Sequence, residues 1–237
     1  MHAEEGVYHG AEVHVNLWRP LVEDREEFSL AQMWLLAEGE TEDDLNTIEV
    51  GWQAYPKLYG DDIPRFFVFW TPDNYRTGCH NLLCHGFVQT TEHYGVGTSF
   101  QYFSAYGGMQ YLMTVKVEKD PVSGDWWLTF NGEKIGFWPK GIFTNMQEHA
   151  GLVNLKRGGQ HTATAMGNGH FGEEGYSKSC YMSHIAVIND QHVRNGEPRI
   201  ADIDVDNEKC YNLVLSVDEN QGTHIYFGGP GRSPDCP

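Results

Sequence analysis

One glutamate stands out in the sequence because its local pattern would place it among side chains suited to acid–base chemistry. Glu49 lies in the stretch Thr47-Ile-Glu-Val-Gly-Trp-Gln-Ala-Tyr-Pro56. Period-two alternation predicts a strand with an apolar face made of Ile48, Val50, Trp52 and Ala54. The opposite, more polar face then carries Thr47, Glu49, Gly51, Gln53 and Tyr55. Glu49 is therefore predicted to point from mid-strand into polar and aromatic surroundings.

The preceding strand is predicted to extend the same face. Gln32 and Trp34 alternate together within Phe28–Ala37, so both are expected to lie beside Glu49. Two interpretations stay open at this point. Glu49 is either an exposed strand residue, which is the usual case, or the acid of a substrate cleft lined by Gln32, Trp34, Gln53 and Tyr55.

Other motif matches favour ordinary structure. Gly167–Gly172 matches G-x-G-x-x-G, but it neither follows a predicted strand nor opens a helix, so it is interpreted as a glycine-rich loop. Asp202, Asp204 and Asp206 lack the glycine and the terminal glutamate of a calcium loop, which favours an exposed strand face. The sequence has no C-x-x-C or H-E-x-x-H motif, and its histidines are scattered. We therefore expect no metal and no cofactor.

Short aromatic and β-branched segments separated by turn residues recur along the chain. They predict an all-β antiparallel sandwich or barrel, with residues 1–237 forming one domain. The predicted strands are Glu12–Trp18, Phe28–Ala37, Thr47–Pro56, Arg65–Thr71, Val96–Tyr102, Tyr111–Glu118, Asp125–Asn131, Glu133–Trp138, Tyr211–Val217 and His224–Phe227. One short helix is expected at Pro139–His149, where proline is followed by apolar residues at helical spacing.

Charge and hydropathy exclude two classes of partner. Lys and Arg number 16 and Asp and Glu 33, so the net charge is −17, which argues against nucleic acid. No apolar run approaches the roughly 18 residues that cross a bilayer, so no membrane partner is expected. The negative charge suits an acidic compartment, where it declines, or serves solubility alone. No basic and apolar leader opens the chain, so any signal peptide is expected to have been removed.

Five cysteines are an odd number. Cys79 and Cys84 lie close together, Cys210 and Cys236 bracket the C-terminal segment, and Cys180 lies apart. Two disulfides and one spare thiol are typical of a secreted protein, so an extracellular or acidic compartment is expected.

Motifs from Asn16 to Pro237 together resemble the neprosin domain, the catalytic domain of plant glutamic endopeptidases. Those of the N-terminal half are Val15-Asn-Leu-Trp-Arg-Pro20, Phe28-Ser-Leu-Ala-Gln-Met-Trp34, the Leu45–Pro56 stretch, Leu58-Tyr-Gly-Asp61, Thr77-Gly-Cys-His-Asn-Leu-Leu-Cys84 and Gly86-Phe-Val-Gln89. Those of the C-terminal half are Gln160-His-Thr162, Met166-Gly-Asn-Gly-His-Phe171, Glu173-Glu-Gly175 and Gly228-Gly-Pro-Gly-Arg232.

The resemblance implies a jelly-roll-like β-sandwich with a cleft across its concave face. It also implies a secreted endopeptidase that cleaves notably after proline at acidic pH, with two glutamates and no metal. Its substrate would be a peptide or protein, expected to be proline-rich, and its precursor would carry an inhibitory propeptide. Glu49 falls on the first catalytic glutamate of the family. The cysteine positions imply the disulfides Cys79–Cys84 and Cys210–Cys236, with Cys180 free.

The implied chemistry needs two carboxyl groups in different protonation states. One carboxylate takes a proton from water while a second, protonated carboxyl donates to the carbonyl oxygen or the leaving amine. Two nearby carboxyls cannot both ionise cheaply, so their pKa values separate and one keeps its proton in acid.

The sequence departs from the family pattern at the second glutamate, which lies in a Trp-Gly-Gly-Glu stretch before Gly-x-His-Thr. Here Arg157-Gly-Gly-Gln-His-Thr162 follows directly on Gly151–Lys156, so the second catalytic acid is not located. The segment near Asn154–Gly158 is either deleted from the protein or omitted from the sequence. Fallback candidates for the second group are Gln160, Glu173 and Glu174, although the two glutamates belong to a different motif of the family.

Two other functions stay open. The domain could have lost catalysis and bind proline-rich peptide or a cell-wall polymer through its aromatic cleft. Paired carboxyls and aromatic side chains would also suit a jelly-roll glycoside hydrolase or lectin, an interpretation that the neprosin motifs disfavour.

Overall fold

A computed structural model of the chain describes residues 1–4, 6–38, 41, 44–143, 161–205 and 207–237. Its strands are β1 His2–Ala3, β2 Tyr8–Asn16, β3 Ser29–Ala37, β4 Asn46–Ala54, β5 Arg65–Thr71, β6 Cys79–His80, β7 Val88–Gln89, β8 Leu112–Lys119, β9 Trp126–Phe130, β10 Glu133–Trp138, β11 Cys180–Asn189, β12 Arg194–Asn195, β13 Ile200–Asp202, β14 Asn212–Asp218 and β15 Gly222–Gly228. The described helices are the single α-helical turn α1, Pro56–Tyr59, and the 3-10 turns Lys140–Ile142 and Gly172–Glu174.

Two antiparallel sheets make up most of the described structure. The large sheet has the order β14-β15-β11-β2-β8-β9-β10-β7, with β12 paired to β11. The small sheet has the order β3-β4-β5-β6. Strands β1 and β13 form a separate antiparallel pair. The predicted all-β antiparallel sandwich is therefore confirmed.

The core lies between the inner faces of the two sheets. The small sheet contributes Ile48, Val50 and Trp52 from β4, and the large sheet contributes partners such as Val115 and Leu128. The Trp52 indole donates a hydrogen bond to the Asn16 carbonyl across the sandwich, at 2.8 Å. Truncating a buried tryptophan costs about 3–5 kcal/mol, so this face of β4 is fixed by packing. The other face of β4, which carries Glu49, is thereby turned away from the core.

The strand predictions were accurate where alternation is clear and wrong for two longer segments, and the two-residue strands β1, β6, β7 and β12 were not predicted. Val96–Tyr102 is not a strand, because Gly95 and Gly97 turn the chain there and Ser99 alone forms a bridge, to Arg65. Strand β11 was missed, although it lies in the centre of the large sheet. His184 has a left-handed φ of 53°, and the register shifts between Ser183 and Ala186, which breaks the alternation that predicts a strand.

Only the start of the predicted helix Pro139–His149 can be compared with the structure. Lys140–Ile142 forms a 3-10 turn after Pro139, and residues 144–149 lie outside the described residues. The turn α1 was not predicted. Within the described ranges, no helix has the length and apolar character needed to cross a bilayer.

Both implied disulfides are present. Cys79–Cys84 ties β6 to the loop that follows it, with the Cα atoms 6.0 Å apart. Cys210–Cys236 ties the start of β14 to the C-terminus, with the Cα atoms 5.3 Å apart. Cys180 is free and buried.

Candidate active site

Glu49 lies in the middle of the small sheet, on the face turned away from the core. In the strand register, Trp34 of β3 is its neighbour on one side and Phe69 of β5 on the other. Directly opposed residues of antiparallel strands project to the same face. The Glu49 side chain therefore sits between two aromatic side chains, and only 8% of the residue is exposed.

Neutral donors surround the Glu49 carboxyl. The Tyr75 hydroxyl donates to Oε1 at 2.9 Å, and the Thr47 hydroxyl lies 3.2 Å from the same oxygen. The Gln32 side chain also hydrogen bonds to the carboxyl. Among the described residues no cation forms an ion pair with Glu49. The carboxyl is thus held in place without being neutralised by a positive charge.

Burial raises the pKa of Glu49 above its ordinary value, and the hydrogen bonds from Tyr75, Thr47 and Gln32 offset part of the rise. Removing a carboxylate from water disfavours its charged form, whereas donors that face it favour that form. Glu49 therefore keeps its proton to a higher pH than an exposed glutamate does, and its carboxylate is a stronger base once formed.

The loop between β5 and β6, which has a strained backbone, positions Tyr75 beside Glu49. Asn74 and Tyr75 both have left-handed backbones, with φ of 50° and 61°. Such a conformation costs a non-glycine residue about 1–2 kcal/mol. The loop is anchored by the Thr71 hydroxyl, which accepts from the Tyr75 N–H at 3.0 Å, and by Asp73, which accepts from the Thr77 N–H at 2.8 Å.

The Tyr75 ring also contacts both aromatic neighbours of Glu49. It stacks on Phe69 with centroids 5.9 Å apart and meets Trp34 edge-on at 6.4 Å. Three aromatic rings therefore lie around one carboxyl, an arrangement that limits the contact of Glu49 with water and accounts for the effect of burial on its pKa.

Unpaired polar atoms lie on the same face of the small sheet. Gln32 Oε1, Gln53 Oε1 and Trp34 Nε1 are buried and have no hydrogen-bond partner among the residues that the structure describes. Gln53 lies opposite Arg65 of β5, two residues beyond Gly51. Buried polar atoms in native proteins are nearly always paired, and each exception needs a physical explanation. These two acceptors and one donor share the face of the small sheet that carries Glu49.

The neprosin family model matches residues 25–230, which span most of the chain, including Glu49 and all of β3, β4 and β5. The chain belongs to the neprosin family. Membership supports a peptidase-like function.

Among solved structures, the chain is similar to scytalido-glutamic peptidase with a peptide-based transition-state analogue. The sequences are 10% identical, the match covers 97% of each chain, and the TM-score is 0.43. A likeness of this degree carries no argument about the site.

Two of the three candidates for the second catalytic group, Glu173 and Glu174, do not lie on the sheet that carries Glu49. Glu173 and Glu174 lie in the 3-10 turn beside β14 and β15 of the large sheet, whereas Glu49 lies in the small sheet. Asn212 donates to Glu173, and Glu174 is bonded to the Tyr106 hydroxyl at 2.9 Å and to His170 at 2.8 Å. The pKa of Glu174 is lowered: burial opposes the fall, but the hydrogen bonds from His170 and Tyr106 and the nearby positive charges together outweigh it. Gln160 lies outside the described residues, as does the Asn154–Gly158 segment.

The remaining predicted cleft residue, Tyr55, lies at the end of β4 and packs against Phe28, with ring centroids 5.3 Å apart. Tyr55 therefore lies directly beyond the end of the strand that carries Glu49, past Gln53.

Tyr75 was not predicted from the sequence, because it lies 26 residues after Glu49 in a loop with no periodicity. Thr47 could have been found, since it lies two positions before Glu49 on the same face.

One group of potential metal ligands occurs in the described part of this neprosin chain. His161, Cys210 and Cys236 have ligand atoms within 4.8 Å of one another. The two cysteines form a disulfide, so they offer no thiolate to a metal. This group does not fit a metal site.

Proposed function

We propose that this chain is a glutamic endopeptidase in which the Glu49 carboxylate activates a water molecule for attack on a peptide bond. The observation that carries the proposal is the setting of Glu49: a buried carboxyl, mid-strand, held by neutral donors beside unpaired polar atoms. Acids and bases with environments that shift their pKa values are typical of active sites.

Substrate recognition would use the outer face of the small sheet. Gln32 Oε1 and Gln53 Oε1 can accept from peptide N–H groups, and Trp34 Nε1 can donate to a peptide carbonyl. Trp34, Phe69 and Tyr75 offer apolar surface around Glu49. Aromatic grooves are well suited to proline-rich segments, which supports the preference for cleavage after proline that the family resemblance implies.

Mildly acidic solution would suit this chemistry. The raised pKa of Glu49 keeps both forms of the carboxyl available there, so that the group can take a proton from water and return one to the leaving amine. The two disulfides support secretion, since disulfides persist in oxidising compartments. We further propose that an inhibitory propeptide precedes the domain in its precursor, as in the family.

A second function is favoured by one observation. The glutamate of the family's second motif is not found in the sequence, so the domain could bind proline-rich peptides or a wall polymer without cleaving them. Binding would then use the same unpaired atoms, and Glu49 would remain as a buried hydrogen-bond acceptor.

Replacing Glu49 with glutamine tests the proposal. Glu49→Gln keeps the size of the side chain and its hydrogen bonds but removes the base, so we expect cleavage of a proline-containing peptide at acidic pH to fall about 10³-fold. Glu12→Gln is the matched control, because Glu12 lies on a strand of the large sheet and pairs with Arg194 at 2.9 Å.

The outcomes separate the two functions. Wild-type cleavage that Glu49→Gln abolishes and Glu12→Gln preserves supports the peptidase. Peptide binding by the wild type without any cleavage supports the binding domain, and cleavage that survives Glu49→Gln places the base elsewhere.

A further inference from the structure

We propose that the Tyr75 hydroxyl is a catalytic group that binds the carbonyl oxygen of the scissile peptide bond while Glu49 transfers the protons. This inference rests on the proposed peptidase function and adds to it a residue outside the motifs that carry the family resemblance. It also supplies a reaction in which a second carboxyl is not required.

Accessibility distinguishes Tyr75 from the other partners of Glu49. Tyr75 is 41% exposed, whereas Thr47 is fully buried and Gln32 is buried as well. A peptide that approaches Glu49 from solvent therefore meets Tyr75 first. The hydroxyl is already 2.9 Å from the carboxyl that handles the water, so it lies within reach of the atoms that react.

The loop fixes the direction of the phenol. The left-handed backbones of Asn74 and Tyr75 are held by two hydrogen bonds, from the Asn74 N–H to the Leu45 carbonyl at 2.9 Å and from the Tyr75 N–H to the Thr71 hydroxyl at 3.0 Å. Stacking on Phe69 then orients the ring. Strain that the surroundings maintain is common where a side chain must be aimed at a reaction centre.

The proposed step balances with one carboxyl. The water oxygen bonds to the carbonyl carbon, and Glu49 takes one proton from that water. The carbonyl oxygen becomes negative and accepts the hydrogen bond that Tyr75 donated to the Glu49 carboxylate before that carboxylate took up its proton. Tyr75 keeps its own proton throughout. Glu49 then gives its proton to the amide nitrogen as the carbon–nitrogen bond breaks, and the carboxylate is regenerated. A preorganised donor at a developing oxyanion is often the largest single contribution to catalysis.

The protonation state of Tyr75 fits this role. Burial and the neighbouring charge of Glu49 raise the pKa of Tyr75, so the phenol remains a neutral donor throughout the working range. Within the described ranges, the other titratable groups on this face are His80 of β6, beyond Phe69, and Arg65 of β5, opposite Gln53. Burial lowers the pKa of His80, which keeps that ring uncharged down to a lower pH than usual. The strands β3 and β4 contribute only Gln32, Trp34 and Thr47 around Glu49, and none of these titrates.

Tyr75→Phe is the test, with a quenched fluorescent peptide containing an internal proline as the probe. We expect kcat to fall about 10²-fold, as for loss of one oxyanion donor, while KM changes less than about threefold and Tm falls by only about 2–4 °C, which is what one lost hydrogen bond costs a domain of this size. The acid limb of the pH–rate profile should shift to higher pH, because a hydrogen bond that lowers the pKa of Glu49 is lost. Tyr226→Phe is the control: it removes a hydroxyl bonded to Gln221 at 2.5 Å, on β15 of the large sheet.

Each result bears on the inference. A fall in kcat for Tyr75→Phe alone, with the shifted acid limb, supports it. If Glu49→Gln is inactive and Tyr75→Phe retains wild-type kcat, the inference is wrong and the peptidase stands. If the wild-type chain cleaves no peptide, the proposed function and this inference are both overturned.

Discussion

Carboxylates on the strands of the two sheets have different surroundings. On the large sheet, Glu12 pairs with Arg194 at 2.9 Å, and Glu118 contacts Lys116 at 2.5 Å. On the small sheet, Glu49 is more deeply buried and its hydrogen-bond partners are neutral. A partly exposed carboxylate beside a cation costs the fold little. A buried one without a cation is costly, and folding alone gives no reason to keep it. This contrast distinguishes Glu12 and Glu118, which form ordinary surface ion pairs, from Glu49, whose buried carboxyl we assign to the proposed active site.

The largest effect on stability that we expect outside the site comes from removing a disulfide, and the size of that effect should differ between the two sheets. Cys210–Cys236 joins cysteines 26 residues apart beside the large sheet, and Cys79–Cys84 joins cysteines 5 residues apart beside the small sheet. Loop-closure entropy predicts a loss of about 3.5 kcal/mol when the first is replaced by serines and about 2 kcal/mol for the second.

Urea unfolding of the two double-serine variants measures these losses. Peptide cleavage measured on the same samples sharpens the contrast, because Cys79 is next to His80, which lies opposite Phe69 on the face that carries Glu49. We expect Cys79→Ser/Cys84→Ser to lower cleavage more than its smaller stability loss would suggest. A larger stability loss for the short loop would contradict the entropic argument.

The pH dependence of stability should differ between Glu49 and Glu12. Burial raises the pKa of Glu49 in the folded state. Below the unfolded value, about 4.3, the carboxyl is protonated in both states and the contribution of Glu49 is fully present. As pH rises through the higher folded pKa, that contribution is lost, because the folded protein must ionise a buried group. Glu49→Gln should therefore match the wild type near pH 4 and exceed its stability at pH 7.

Glu12→Gln provides the comparison. It removes one partner of a half-exposed ion pair, so its free energy of unfolding at pH 7 should equal that of the wild type or fall by less than about 1 kcal/mol. Chemical denaturation at several pH values measures both variants. A Glu49→Gln protein that is less stable than the wild type at pH 7 would show that Glu49 supports the fold and would weaken its assignment to a site.

The smallest expected effect concerns Gln53. Its Oε1 is unpaired and only 3% of the residue is exposed. Gln53→Leu removes a buried acceptor that lacks a partner in the free protein, so stability should be unchanged or rise by up to about 1 kcal/mol. KM for a proline-containing peptide should rise a few-fold, because the substrate N–H then loses its acceptor. Unchanged KM would exclude Gln53 from the substrate cleft.

Sequence patterns were informative wherever one face of a strand is buried. Alternation in β3 and β4 placed Glu49, Gln32 and Trp34 on a common face, and the strand register has the same arrangement. The neighbour that matters most to the proposed chemistry, Tyr75, was not predictable in this way. Its position depends on two left-handed residues and on Thr71, and no periodicity encodes a loop of this kind.

Strand β11 illustrates the other limit of prediction from sequence. Its residues Tyr181, Ser183 and His184 mix aromatic and polar types, and the shift in register at Ser183–Ala186 hides the period of two. Tertiary pairing with β2 and β15 decides that this segment is a strand. A central strand that is covered on both sides needs no alternation, so its burial could not be inferred from the chain alone.

The free, buried thiol of Cys180 can report local unfolding of the protein, because a thiol reagent reaches it only when the surrounding packing separates. Cys180 is fully buried, and a Cβ atom at Gly167 would lie only 2.4 Å from its Cβ, so the glycine turn is packed directly on it. Burial raises the pKa of the thiol, which suppresses the reactive thiolate further. Because the other four cysteines are in disulfides, alkylation of the native protein can proceed only through states in which this packing separates. The labelling rate of a single atom thus measures how often the centre of the large sheet opens, without any introduced probe.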